Sequence, residues 1–154
     1  MIAKELFDPK SIVVVGGSND VEKPGGKILK NIIKGGFKGE VSVVNPKAEY
    51  VQGKPSFKSV DDIEQADLAI LAIPARYCLD AVKTLAEKKG TKGFIILSAG
   101  FSEFGEEGQK LEQEIVDIVE KNDASLVGPN CIGICNNNYK GVFAGLIPRL
   151  DPNG

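Results

Sequence analysis

Short apolar runs alternate with longer amphipathic segments along this chain, and that alternation most restricts how it can fold. The apolar runs are rich in β-branched residues, which is typical of strands buried on both faces of a parallel sheet. They are Ser11–Val15, Val41–Val44, Leu68–Ile73, Phe94–Leu97 and Ser125–Val127. Strands that alternate with helices predict right-handed crossovers and an α/β fold, a Rossmann-like doubly wound parallel sheet with three layers.

The segments between these strands carry apolar residues at helical spacing. They predict helices at Lys27–Lys34, Arg76–Lys89 and Glu106–Lys121. The last of these has acids in its first turn and a lysine at its end, as the helix dipole favours. Pro55–Val60 lacks such a pattern and is predicted to be an irregular excursion that leads into a short helix at Asp61–Ile63.

The periodicity fades after Gly128, and the last residues are rich in proline and polar side chains. At 154 residues the sequence has the length of one ordinary domain. We expect one domain over residues 1–147 and a linker at 148–154 toward a second domain that this sequence does not contain. Loss of a neighbouring domain would expose apolar surface near Val142, Phe143 and Leu146, which leaves self-association into a homo-oligomer open.

Composition argues against several functional classes. The chain is 42% hydrophobic and 26% charged with a net charge of -2, the balance of a soluble globular protein with no reason to bind nucleic acid. Its apolar runs are far shorter than the roughly 20 residues that span a bilayer. The N-terminus lacks the apolar stretch of a secretory signal. We therefore expect a cytoplasmic protein that contacts no membrane.

The chain has three cysteines, Cys78, Cys131 and Cys135, and no histidine. An odd number of cysteines is typical of reduced thiols in a reducing compartment. Without histidine a zinc site is not expected, and neither serine nor cysteine has an imidazole to activate it as a nucleophile. Cys131 is the one thiol in a candidate loop, and it too lacks such a base. We assign no metal ligand and no catalytic residue.

Ligands of open α/β sheets bind beyond the carboxyl ends of the strands, so the segments that follow each strand are the candidate sites. After the first strand come Gly16, Gly17, Ser18 and Asn19, with Lys23 and Gly25 before the helix. Glycines let backbone N–H groups approach an anion at the positive end of a helix. A plain tight turn is the alternative interpretation. The G-x-G-x-x-G spacing of a dinucleotide site is absent.

The segment after the second strand is Asn45, Pro46 and Lys47. A NAD site normally has an acid there, which bonds the 2′-hydroxyl of the ribose. The lysine suits a ribose that carries a phosphate, either the 2′-phosphate of NADP or the 3′-phosphate of coenzyme A. A solvated surface lysine is the alternative.

Three later segments also follow strands. They contain Ile73, Pro74 and Ala75; Ser98, Ala99, Gly100 and Glu103; and Gly128 to Gly133, with Asn130 inside. Each could be only a connection, and Glu103 could be a solvated acid at the entry of a helix. Together their small residues, prolines and glycines leave room for an extended ligand close to backbone.

The ordered set of these segments resembles the N-terminal CoA-binding domain of the NDP-forming acyl-CoA synthetases. That family includes the ADP-forming acetyl-CoA synthetases and relatives of the succinyl-CoA synthetase α subunit. The resemblance covers nearly the whole chain, from Leu6 to about Ile147. It is carried by Leu6–Ile12, Val15–Ser18, Lys23–Gly25, Val44–Lys47, Ile73–Ala75, Ser98–Glu103 and Gly128–Gly133. The first loop reads Gly16-Gly17-Ser18 where Gly-Ala-Ser is commoner in the family.

The resemblance implies interconversion of acyl-CoA, ADP and phosphate with free acid, CoA and ATP through a phosphohistidine. It implies that the histidine lies on a second, succinyl-CoA-synthetase-like domain and that an ATP-grasp domain or subunit completes the enzyme. This chain alone is then expected to be inactive. By motif, Gly16 to Asn19, Lys23 and Gly25 would line the CoA nucleotide, and Lys47 would lie near its phosphates.

The other segments also receive roles from the resemblance. Ile73–Ala75 and Ser98–Glu103 would border the adenine and pantetheine, and Gly128–Gly133 would face the catalytic centre. Two alternatives to a synthetase domain stay open. One is a stand-alone CoA-binding or regulatory module, and the other is an NADP-binding reductase domain whose catalytic half is missing.

Overall fold

The computed structural model describes residues 2–98, 101, 105–128, 133–135 and 139–142, and side chains are described for all of these except 133–135 and 140–142. The first seven strands of the described residues form one sheet, and the last two form a separate hairpin. The strands are β1 Ser11–Val15, β2 Glu40–Val44, β3 Tyr50–Val51, β4 Lys54–Phe57, β5 Leu68–Leu71, β6 Gly93–Ile96, β7 Ser125–Val127, β8 Gly133–Cys135 and β9 Lys140–Val142. The helices are α1 Pro24–Lys34, α2 Ala75–Lys88 and α3 Glu106–Lys121, with 3₁₀ turns at Lys4–Leu6 and Val60–Asp62.

The strand order is β3-β4-β2-β1-β5-β6-β7, and every pair in the sheet except β3 with β4 is parallel. The chain adds strands to one side of β1 through β2 and β4, and then to its other side through β5, β6 and β7. The order therefore reverses between β1 and β5, where open α/β sheets bind their ligands. This confirms the predicted Rossmann-like parallel sheet.

Successive residues of β1 pack into two different cores. Val13 and Val15 join α2 and α3 on one face of the sheet, while Ile12 and Val14 join α1 on the other. Burying each such side chain stabilises the fold by about 1.5–3 kcal/mol, so the sheet is held firmly from both sides. The result is three layers, helix, sheet and helix, with the loops at the strand ends fixed on a rigid support.

The structure differs from the sequence prediction at the edge of the sheet. Pro55–Val60 was predicted to be irregular, which is wrong because Lys54–Phe57 is strand β4. It pairs with β2 through Val43↔Ser56 and Val44↔Phe57, and with the short strand β3. The segment has no apolar periodicity because β4 is short, contains a proline and lies beside the two-residue edge strand β3, where its side chains are only partly buried or exposed.

Two other regions also differ from the prediction. Helix α1 begins at Pro24 rather than Lys27, because proline suits the first helical position and both following glycines lie within the first turn. After Gly128, where no element was predicted, β8 pairs antiparallel with β9.

Tyr139 just before β9 is buried beside α1, and its hydroxyl donates to the Leu6 carbonyl at 2.6 Å. Burial raises the pKa of this tyrosine above its ordinary range.

Some of the sequence-based predictions concern residues or side chains that the structure does not describe. The proposed linker at 148–154 and the apolar side chains of Val142, Phe143 and Leu146 lie outside the described residues or side chains. Within the described part of the chain, none of the helices has the length and apolar character that crossing a membrane requires.

Candidate ligand-binding crevice at the carboxyl edge of the sheet

An open crevice of about 920 Å³ lies beyond the carboxyl ends of β1, β2, β4 and β5, at the point where the strand order reverses. Its walls come from the loops that follow these four strands and from one side of α2. The lining includes nine of the residues that the sequence singled out: Gly16, Gly17, Ser18, Lys23, Asn45, Pro46, Lys47, Ile73 and Pro74. The carboxyl-edge crevice therefore brings together the segments after the first three predicted strands.

The loop after β1 lies so close to its neighbours that two positions require glycine. Gly16 has a φ of +91°, and a Cβ there would lie 2.4 Å from the carbonyl oxygen of Ala72. A Cβ on Gly25 would lie 2.1 Å from the carbonyl oxygen of Gly16. The loop thus packs directly against the end of β5 and the first turn of α1, and it presents backbone rather than side chains to the crevice.

The start of α1 has the features of an anion site. Pro24 is the first helical residue after Lys23, and the first turn contains no acid that would offset the positive end of the helix dipole. Ser18 lines the crevice, and its backbone N–H has no hydrogen-bond partner among the described residues. N–H groups at a helix N-terminus favour bound phosphate or carboxylate.

The amide of Asn45 ties the loop after β2 to the loop after β1. Its Nδ2 donates to the Gly17 carbonyl at 3.1 Å, and its Oδ1 accepts from the backbone N–H of Lys47 at 2.9 Å. The second bond closes a turn of the kind that asparagine side chains favour. Asn45 therefore fixes where the backbone of Lys47 leaves the end of β2, at the wall of the carboxyl-edge crevice.

Charge in the carboxyl-edge crevice is unevenly balanced. Lys23, Lys47 and Lys58 all line it and are exposed, and no ion pair involves any of them within the residues that the structure describes. Two acids, Asp61 and Asp80, also contribute to the lining. Three lysines that form no ion pair among the described residues, one of them at the start of α1, favour a ligand that carries more than one negative group.

Sequence reasoning missed several residues of the same crevice. Lys58, Ser59, Val60 and Asp61 follow β4, and the rule that selects post-strand segments would have found them had β4 been recognised. Further contributors that were missed come from α2 and include Tyr77, Asp80 and Thr84. Tyr77 is 54% exposed. The guanidinium of Arg76 lies 4.7 Å from the centre of its ring.

Other sequence-predicted residues do not line the carboxyl-edge crevice. Gly25 lies beneath the loop after β1, Ala75 begins α2, and Asn19 uses its Oδ1 to accept from the backbone N–H of Gln52 at 2.8 Å. Ser98 donates its hydroxyl to the Ile73 carbonyl. The predicted residues Ala99, Gly100, Glu103 and Asn130 lie outside the described residues, as does Cys131.

The one described cysteine side chain is buried under the carboxyl edge. The Cys78 sulfur lies 3.8 Å from the Ile73 carbonyl and 3.7 Å from the Pro74 carbonyl. Burial raises the pKa of this thiol to about 11, and a hydrogen bond with Ser98 offsets part of the rise. At neutral pH Cys78 is therefore a protonated donor that supports the loop after β5. Among the described residues, no group of three or more cysteine or acidic side chains is placed to hold a metal ion.

Comparison with known proteins gives a consistent set of relatives. Residues 10–137 match the family described as CoA binding domain. The chain is 42% identical over 134 residues to the alpha subunit of acetate–CoA ligase (ADP-forming) II of Pyrococcus furiosus, covering 86% of this chain and 29% of that subunit. It is 37% identical over 153 residues to 4-hydroxybutyrate–CoA ligase (ADP-forming) of Nitrosopumilus maritimus, covering 99% of this chain and 22% of that ligase.

A solved structure agrees in fold. An acetyl-coenzyme A synthetase 1 of Ca. Korarchaeum cryptofilum, in complex with phosphate and ADP, matches with a TM-score of 0.83 and 31% identity. The match covers 91% of this chain and 30% of that one. The present chain thus spans less than a third of the length of each of these relatives.

Proposed function

This chain belongs to the CoA binding domain family, and from that premise we propose that its carboxyl-edge crevice holds the phosphorylated adenosine part of coenzyme A. The loop after β1 and the start of α1 would receive the diphosphate, and Lys47 would contact the 3′-phosphate. The observation that carries the proposal is the joining of three features in one crevice: a glycine backbone, a helix N-terminus and three lysines that form no ion pair within the part of the chain that the structure describes.

The charge of the ligand supports this assignment. The 3′-phosphate of CoA carries about −1.5 to −2 charges at neutral pH, and the diphosphate adds further negative charge. Lys23, Lys47 and Lys58 could each contact a different phosphate, since they come from three separate walls of the crevice. Charge-assisted bonds of this kind are roughly twice as strong as neutral ones.

The end of β2 supports CoA over an unphosphorylated dinucleotide. A NAD site would have a carboxylate there for the ribose 2′-hydroxyl, whereas this chain has Asn45. Its amide is already engaged with the Gly17 carbonyl and the Lys47 N–H. The position therefore serves to orient a phosphate-binding lysine.

We further propose that the chain is the CoA-binding part of an ADP-forming acyl-CoA synthetase. The complete enzyme would interconvert acyl-CoA, ADP and phosphate with free acid, CoA and ATP. Support comes from the relatives named above, of which this chain matches 29% and 22% of the length. Because the chain contains no histidine, a phosphohistidine would have to come from another domain. An ATP-grasp domain or subunit would bind the nucleotide that exchanges phosphate.

Titration calorimetry with CoA, 3′-dephospho-CoA and NADPH tests the ligand assignment. CoA is expected to bind best. Lys47→Ala should weaken CoA by about 1–3 kcal/mol, the value of one charge-assisted hydrogen bond, and should leave 3′-dephospho-CoA unchanged. Lys38→Ala is the matched control, because Lys38 is an exposed lysine outside this crevice.

Two outcomes would contradict the assignment. One is the absence of binding at millimolar CoA. The other is tighter binding of NADPH than of CoA, which would favour a reductase domain. Equal loss of affinity in Lys38→Ala and Lys47→Ala would show only general electrostatic attraction and would remove Lys47 from the site.

A further inference from the structure

The hairpin of β3 and β4 is bonded to the loop after β1 through Gln52. Gln52 and Gly53 form the turn, with φ values of +50° and +81°. Two-residue hairpin turns with both φ values positive match the twist of the strands, and glycine and asparagine are the residues they prefer. A glutamine in the left-handed region is therefore a costly choice for the turn alone, which indicates that its side chain has a use elsewhere.

That side chain makes two hydrogen bonds across the sheet edge. The Gln52 Nε2 donates to the Ser18 carbonyl at 2.8 Å and to the Gly26 carbonyl at 3.0 Å. The backbone N–H of Gln52 donates to Asn19 Oδ1 at 2.8 Å. One residue of the hairpin thus holds both the loop after β1 and the first turn of α1.

The bond to the Ser18 carbonyl sets the direction of a donor. A trans peptide is planar, so the Ser18 C=O and the Asn19 N–H lie in one plane and point in opposite directions. With the carbonyl bonded to Gln52, the Asn19 N–H points away from the hairpin. No hydrogen bond is found for this N–H within the residues described, and its neighbour Ser18 lines the carboxyl-edge crevice.

We propose that Gln52 is a positioning residue for anion binding: it orients the Ser18–Asn19 peptide so that its N–H donates to the diphosphate of the bound nucleotide. Gln52 acts through this peptide and is absent from the crevice lining. The inference rests on the proposed function, because it supposes that the loop after β1 receives the diphosphate. In the absence of Gln52 the peptide can rotate, and only a fraction of molecules present the donor.

Gln52→Gly separates this role from a merely structural one. Glycine suits the left-handed turn better than glutamine does, so the variant should fold and keep its thermal midpoint within a few degrees. CoA affinity should nevertheless fall roughly 5- to 30-fold, through slower association rather than faster dissociation, because fewer molecules have the loop organised. Gln52→Glu keeps the length of the side chain, loses the donors and should show the same loss.

Stopped-flow kinetics with CoA and 3′-dephospho-CoA at a temperature well below the thermal midpoint gives the decisive comparison. Because Gln52 acts on the loop after β1, its substitution should slow the association of both ligands to the same extent. Lys47→Ala should weaken only the binding of CoA. Tyr50→Ala is the control for the same hairpin, since that side chain is 66% exposed and should leave association unchanged.

The outcomes separate the two proposals. If the unaltered chain does not bind CoA, the proposed function fails and the inference fails with it. If the unaltered chain binds CoA but both Gln52 variants associate within twofold of it, the inference alone is overturned. A loss seen with CoA and absent with 3′-dephospho-CoA would place Gln52 at the 3′-phosphate and would overturn it as well.

Discussion

The two edges of the sheet have similar residues and different chemistry. The amino edge also has a cavity, of about 360 Å³, lined by two lysines and two glycines: Lys10, Lys38, Gly36 and Gly39. There, however, Lys10 pairs with Asp8 at 3.5 Å, and α1 ends at Lys34 instead of beginning. The end of a helix is negative, so it repels the ligand that its start attracts.

This comparison shows that a glycine and lysine composition does not make an anion site by itself. At the carboxyl edge the lysines lack ion-pair partners among the described residues and the helix presents free N–H groups. At the amino edge the Lys10 side chain has an acid, and its backbone N–H is bonded to Asp67 Oδ2 at 2.8 Å. Lys38 at the amino edge also has no ion pair among the described residues, but it lies near the end of α1 instead of its start. Of these two described sites, the carboxyl edge alone combines unpaired lysines with the start of a helix.

The largest expected difference between the edges concerns their glycines. Gly16→Ala places a methyl 2.4 Å from the Ala72 carbonyl oxygen at a φ of +91°, whereas Gly36→Ala meets nothing within 4 Å at a φ of +78°. The first substitution should lower the free energy of unfolding by about 2–5 kcal/mol, from overpacking together with backbone strain. The second should lower it by about 1–2 kcal/mol, from strain alone.

Urea denaturation of both variants checks this prediction. Gly16→Ala should also abolish CoA binding in titration calorimetry, whereas Gly36→Ala should leave CoA binding unchanged. Equal losses of unfolding free energy would mean that the close packing of the loop after β1 on β5 does not contribute to stability. That result would contradict the proposed difference between the two edges.

The sequence predicted the central elements of the fold better than the short strands β3 and β4 at one side of the sheet. The bounds of β1 and α3 are as predicted, because a buried β-branched run and a helix with acids first and lysine last are local signals. β4 has no such signal, since its pairing with β2 is decided by a partner distant in sequence. Lys58 was missed for the same reason.

The candidate site also contains residues that the sequence could predict and contacts that it could not. Lys47 could be found because it follows a recognisable strand, and the structure places it in the carboxyl-edge crevice. The bonds of the Asn45 amide and of Gln52 could not be predicted, because each joins loops that only the folded sheet brings together.

The pH dependence of the unfolding free energy tests the burial of Cys78 beneath the carboxyl edge. Its folded pKa is about 11, raised by burial from an ordinary value of 9.0. A raised pKa means that folding favours the protonated thiol, so this stabilisation is complete below pH 9 and is lost as the pH rises toward 11. The unfolding free energy of the unaltered chain should therefore fall relative to that of Cys78→Ala across this window. A constant difference would mean that the thiol is not buried as described.

The smallest effect is expected from Lys58. Lys58→Ala should weaken CoA by about 0.5–1 kcal/mol, because an exposed cation contributes little and is screened by salt. Lys10→Ala at the amino edge should leave CoA affinity unchanged, since its charge is already paired with Asp8. Calorimetry at low and high salt measures both. A loss with Lys10→Ala that matches Lys58→Ala would point to net charge rather than to a site.

A crystal structure of the chain with CoA tests the central claim most directly. We expect the 3′-phosphate within about 3 Å of the Lys47 Nζ and a diphosphate oxygen at a similar distance from the Asn19 N–H, as charge-assisted bonds require. A nucleotide bound at the amino edge, or bound in the carboxyl-edge crevice with Lys47 turned away from every phosphate, would contradict the account.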